Sequence, residues 1–83
     1  MATSNKRAWA MVTSLNKKVT WQSHARWVIS DNFWTSSGVA AGCDMALAFI
    51  AHDFGDDVAA AVARRAEYVW NQDSMNDPFH AML

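Results

Sequence analysis

Residues 35–47 read TSSGVAAGCDMAL and hold the chain's only cysteine, between Gly42 and Asp44. Thiolate chemistry at Cys43 would need a helix N-terminus, a neighbouring cation or a tight strand-to-helix elbow. The apolar residues Val39, Cys43, Ala46, Ile50 and Phe54 recur at steps of 4, 3, 4 and 4, one face of an α-helix. Ser37 is its candidate N-cap and Gly55 its left-handed exit. Cys43 then lies more than one full turn inside the helix on its apolar face. Asp44 beside it disfavours a thiolate, and AAGCDMA does not match the G-x-S-x-G elbow. The expectation is a buried, inert thiol packed against a sheet.

The remaining chemistry-bearing types give no constellation. His24, His52 and His80 share no helical spacing and read as loop or solvated side chains. Asp53, Asp56 and Asp57 resemble a cation cluster, but helix-end capping accounts for them more simply. Trp9, Trp21, Trp27, Trp34 and Trp70 could stack on a ligand; their positions on strands and helix faces favour packing. Gly38 and Gly42, continued by Ala46, form a bare helix face that suits close approach to a sheet. No Cys/His spacing suggests zinc, and no cofactor is expected.

The elements that would position these residues follow from periodicity and caps. Thr3 and Ser4 can cap a helix over 5–14. Val19-Thr20-Trp21 reads as a short strand, and two extended runs, 25–30 and 33–36, flank Asp31-Asn32. Both turn residues tolerate positive φ, so a two-residue hairpin is expected, with Ile29 opposite Trp34 and Val28 opposite Thr35. Helices are expected over 38–54 and 56–66. Asp56 and Asp57 open the last one and Arg64 and Arg65 close it, as the helix dipole favours. The tail EYVWNQDSMNDPF reads as a short strand and a loop turning at Asp77-Pro78. Three main helices, a short strand and a β-hairpin make the fold class α/β, and the strands look like part of a sheet rather than a whole one.

Composition sets the outer bounds. Eighty-three residues suit one small domain, spanning 1–83, with a thin stability margin. A formal charge of −1 without a basic cluster argues against nucleic-acid binding. The apolar stretch from Gly38 to Ala51 is too short to span a bilayer. One cysteine permits no internal disulfide, so a cytoplasmic, soluble protein is expected. Hydrophobic residues nevertheless make up 52% of the chain, which calls for a larger interior than its length provides.

WTSSGVAAGCDMALAFIAHDFGDDVAAAVARR carries several motifs in order. A strand ends in T-S-small-Gly, a small-x-Gly-x-Asp-x-Ala-Leu helix follows, then a tight Asp-x-Gly exit and a second helix ending in Ala-Arg-Arg. Together with the start ATSNKRAW and the tail EYVWNQDSMNDPF, this resembles the C-terminal portion of the ThiJ/PfpI family. That family is also called the DJ-one superfamily and is class I glutamine amidotransferase-like. The likeness runs from Ala2 to Phe79 and is nearest to stand-alone, isocyanide hydratase-like members.

The resemblance implies the C-terminal half of a flavodoxin-like doubly wound fold, with the nucleophile-elbow half absent. The family's catalytic cysteine and its acidic partner would lie upstream, so Cys43 inherits no role and no catalytic residue is assigned. Thr3, Ser4 and Asn5 fall where the family carries a segment bearing a histidine beside that cysteine, and they become a possible pocket wall. Asn5 stands in the histidine position and cannot act as a general base near pH 7. Gly38, Gly42, Cys43, Asp44 and Gly55 are then structural. The implied parent activity is hydratase-, hydrolase- or glyoxalase-like. The expectation is a domain inactive alone, or alternatively a small interaction module. Its partner would be another copy or the missing N-terminal half, met through a sheet edge or apolar face.

Overall fold

A computed structural model describes residues 1–83. Its centre is the hairpin. Strand β1 (Trp27–Ser30) pairs antiparallel with β2 (Phe33–Ser36), with Val28 opposite Thr35 and Ile29 opposite Trp34, the expected register. The connection is the two-residue pair Asp31-Asn32, in which Asp31 takes the positive φ, 54°.

Helix α1 (Trp9–Ser14) precedes the hairpin; α2 (Val39–Phe54) and α3 (Asp56–Arg65) follow it. The protein is therefore α/β, with three helices and a two-stranded sheet. Gly38, at φ 110°, makes the turn from β2 into α2. Gly55 ends α2 and begins α3 at φ 100° and ψ 158°. Its positive φ was expected, but its ψ is extended rather than left-handed helical. Nothing lies within 4 Å of where its Cβ would be, so the demand for glycine is conformational, not steric.

Several expectations need correction. The first helix starts at Trp9 rather than near residue 5, because Thr3 is buried and Asn5, not Thr3 or Ser4, accepts the amide of Ala8 (3.2 Å). Val19–Trp21 forms no strand, only an isolated parallel bridge between Trp21 and Ala2. The tail has no strand either. Its Ser74 carbonyl takes the amides of Arg26 (2.6 Å) and Trp27 (3.3 Å), and it ends in a 3-10 helix, Pro78–Met82, capped by Asp77.

The largest correction concerns α2. Its buried residues are Ala41, Asp44 and Leu47, whereas Val39 is 91% and Phe54 71% exposed, and Cys43 is exposed. The face of Val39, Cys43, Ala46, Ile50 and Phe54 therefore does not meet the sheet. VAAGCDMALAFIA is apolar almost all round, so spacing alone gave no unique phase. The hydrogen bonds of Asp44 set it instead. Gly42 does face β2, its Cβ position lying 3.5 Å from Ser36 Oγ, while Gly38 belongs to the turn.

The packed interior is thin. Buried apolar residues are Ala25, Trp27, Val28, Ala41, Leu47, Ala59 and Ala63, so alanines outnumber larger side chains. The molecule measures 38 × 26 × 15 Å, a slab about one helix and one sheet thick. Aromatics pack at half-buried positions: Trp34 meets Phe49 edge-on (5.2 Å), and Trp9 meets Trp21 (6.1 Å).

Helix α3 ends in a Schellman motif. Tyr68 N–H bonds to Ala63 O (2.9 Å) and Glu67 N–H to Arg64 O (3.1 Å), with Glu67 at φ 52°. A left-handed non-glycine residue costs about 1 kcal/mol. Glu67→Gly is expected to stabilise the protein by up to about 1 kcal/mol, read as a raised urea midpoint with unchanged m-value. A lowered midpoint would contradict the strain.

Candidate functional site

Four polar or charged side chains are buried: Thr3, Lys6, Asp44 and Asp77. They form two centres, at the two sides of the entrance to β1.

The first centre is Asp44, in the second turn of α2 and fully buried. Arg26, just before β1, donates through Nε to Asp44 Oδ2 (2.8 Å) and places Nη2 2.7 Å from the same oxygen. Oδ1 accepts from the Tyr68 hydroxyl (2.9 Å) and the Asn71 amide (2.9 Å), while Trp70 Nε1 donates to the Asp44 carbonyl (3.3 Å). One carboxylate thus fixes the chain before β1, α2 and the segment after α3. The Tyr68 phenol is pushed above its ordinary 10.0, first by burial and then by its hydrogen bond to Asp44 and that group's negative charge.

The second centre joins the N-terminal segment to the tail. Lys6 Nζ lies 2.9 Å from Asp77 Oδ2 and donates to Ser37 Oγ (2.8 Å), the Ser4 carbonyl (3.0 Å) and Thr3 Oγ1 (3.5 Å). Ser37 Oγ donates to Asp77 Oδ2, and the Phe79 amide donates to Oδ1 (3.1 Å). Burial alone would raise the Asp77 carboxyl. Hydrogen bonds from Ser37, Lys6 and the Phe79 amide, with the charge of Lys6, outweigh it and hold the group below its ordinary 3.8. Ser37 is thus a strut between two charges, not the cap of α2, whose N-cap is Gly38, without a side-chain cap.

Beside this centre lies a cavity of about 200 Å³, lined by Asn5, Lys6, Arg7, Arg26, Ser37, Gly38–Ala41, Phe79 and Met82. Of the expected wall Thr3, Ser4 and Asn5, only Asn5 reaches it; Thr3 is buried and donates to Gln22 O (2.8 Å). Positive side chains and the uncapped first turn of α2 make the cavity a donor-rich wall. It contains neither a thiol nor a histidine, and its one hydroxyl, Ser37, is committed to Asp77. Cys43 lies elsewhere, in a groove of about 320 Å³ between α2 and α3 lined entirely by apolar residues and Tyr68. The histidines are not all solvated: His24 and His80 stack at 3.5 Å, and exposed His52 pairs with its neighbour Asp53 (3.0 Å). No helix is long and apolar enough to cross a membrane.

No protein-family model matches the chain, and no curated protein matches it. Lys6, Arg26 and Tyr68 carry no local signal in the sequence; Asp77 does, through its place in the Asp77-Pro78 turn, but its pairing with Lys6 is not visible there.

Three outcomes are expected. Asp44→Ala strands Arg26 and Tyr68 and should cost about 3–5 kcal/mol, most of the stability of a domain this small. Far-UV circular dichroism should show largely unfolded protein. Tyr68 is the only tyrosine, so its ultraviolet titration reads this centre directly: displaced above 10.0 when folded, back near that value in urea. For Asp77 the folded group is the stronger acid, so the unfolded state takes up the proton first as pH falls. Its contribution is complete above about pH 4 and is lost as pH falls through the folded value. Asp77→Asn should flatten the acid limb of a urea-midpoint profile below about pH 4.

Proposed function

We propose that the chain is the C-terminal half of a flavodoxin-like domain of ThiJ/PfpI type and is catalytically silent by itself. The ordered motifs of residues 34–65 and the flanking ATSNKRAW and EYVWNQDSMNDPF support this reading. The observation that carries the silent part is the place of Cys43. It is exposed, mid-helix, and separate from the donor-rich cavity that holds Asn5, Lys6 and Ser37. Covalent catalysis needs an activated nucleophile beside an orienting base. Lys6 is ion-paired with Asp77, and Asn5 cannot serve as base, so the cavity has donors for holding a polar group and nothing to attack it. In this reading it is one wall of a site completed by an N-terminal half bearing the elbow cysteine and its acid.

The purified chain should show no turnover of isocyanides, amides or dicarbonyls, and Cys43→Ala should leave every trace unchanged. Activity that disappears with Cys43 would overturn the silent assignment. Turnover gained on adding the N-terminal half of an isocyanide hydratase-like protein, with its elbow cysteine intact, would support the family reading directly.

A second reading, a small interaction module, is favoured by the surface. Fifteen large apolar side chains are exposed, among them Phe33 (71%) and Val69 (92%), and the hairpin has no third strand on either edge. Such surfaces associate.

A further inference from the structure

Helix α3 (Asp56–Arg65) is ten residues long, and its inner side is fixed by Ala59 and Ala63, 0% and 6% exposed. At 100° per residue, the direction opposite these two runs through Asp57, Ala61 and Arg65. All three are exposed. The outward row is therefore an acid, a small residue and a base at equal four-residue steps, with the alanine at the midpoint. None of Asp56, Asp57, Arg64 and Arg65 enters an ion pair within the chain, whose salt bridges are Lys6–Asp77, Arg26–Asp44 and His52–Asp53. The helix dipole favours acids at the first turn and bases at the last. It does not require that one of each share the outward row, equidistant from an alanine.

That row is self-complementary under one operation only. A two-fold axis beside Ala61, perpendicular to the helix, brings position 57 of one copy level with position 65 of the other. Two antiparallel copies then face Asp57 to Arg65 twice, about 12 Å apart along the helix, whereas parallel copies face like to like. The small side chain at the crossing permits an interaxial distance near the short end of the usual range, about 8 Å. Val58, 45% exposed, and Val62, 42% exposed, flank the row and would lose water on contact.

We propose that α3 is the contact surface of a symmetric pair of identical chains, crossing antiparallel at Ala61 with Asp57 of each copy against Arg65 of the other. The occupant of this face is a second copy of the chain, selected by charge complementarity. The proposal does not depend on the family reading, because it uses only the α3 surface; catalytic silence or activity of the chain leaves it untouched. One helix face buries little area, so the pair is weak and concentration-dependent.

Sedimentation equilibrium of the 83-residue chain over about 10 μM to about 1 mM tests it. A monomer–dimer equilibrium is expected, weakening with added salt. Asp57→Arg or Arg65→Asp alone opposes like charges at both symmetric contacts and should weaken the pair about tenfold or more. The double variant Asp57→Arg/Arg65→Asp restores opposite charges at both and should recover wild-type affinity, although it opposes the helix dipole more than either single change. A monomer throughout, a dimer indifferent to single reversal, or a double variant no better than the singles would each overturn the proposal. Should charge reversal unfold α3, Ala61→Cys in a Cys43→Ser background leaves the charges in place. It should form an intermolecular disulfide under mild oxidation far faster than Cys43 does in the wild-type chain. Equal rates would overturn the two-fold crossing.

Discussion

The structure depends on one buried carboxylate. Asp44 has no exposure, and its two side-chain oxygens take up Arg26, Tyr68 and the Asn71 amide, which ties α2 to two separated parts of the chain. A charge withdrawn from water in this way is costly unless each lone pair is met, and here each oxygen has two donors. That requirement sets the rotation of α2. Were Val39, Cys43 and Ile50 turned to the sheet, Asp44 would leave Arg26 behind, and two ions would have to be solvated separately at a packed surface. Apolar burial discriminates weakly between rotations of a helix that is apolar nearly all round; the carboxylate discriminates strongly.

The Lys6–Asp77 pair applies the same constraint to chain that has no regular structure. Residues 1–8 and 66–77 contain no helix or strand, so their amides and carbonyls need partners outside any ladder. Lys6 is bound to the Ser4 carbonyl and to Ser37 at the β2–α2 turn, and Asp77 is bound to the Phe79 amide and the His24 carbonyl. Lys6 also lies 4.8 Å from the centre of the Trp9 ring, extending the anchor into α1. A core rich in alanine offers little burial to hold such segments. Charged hydrogen bonds supply direction where apolar area is scarce. Together the two pairs pin the start and the end of the chain to the same end of the hairpin.

The parts legible from sequence were those fixed by local rules. The hairpin register followed from an Asp-Asn pair between two β-branched and aromatic runs, and α3 followed from acids at its start and bases at its end. Those features act over a few residues, so the sequence displays them. The phase of α2 was not legible, because the partners of Asp44 lie 18 to 27 positions away and spacing within the helix does not record them. Lys6 reads as an ordinary surface lysine until Asp77, far down the chain, is brought beside it. The expected wall of Thr3, Ser4 and Asn5 fared in the same way. The three are adjacent, but Thr3 is drawn inward by hydrogen bonds to the Gln22 and Ala25 carbonyls, more than fifteen positions away, while Asn5 reaches the cavity.

What remains is a mismatch between composition and thickness. Hydrophobic residues form 52% of the sequence, yet the slab is 15 Å in its shortest dimension and buries seven of them below the surface. The N-terminal segment covers part of the hairpin face opposite α2, where Val28 is buried and the Thr3 amide donates to Thr35, but α2, apolar nearly all round, has more apolar faces than one hairpin and one helix can cover. Cys43 is part of that surplus: it is exposed and lines the apolar groove between α2 and α3. The donor-rich cavity at the start of α2 stands apart from this surplus: Lys6 and Arg26, which line it, are the cations of the two buried pairs, so the charges that fix the fold also set the cavity's polar character.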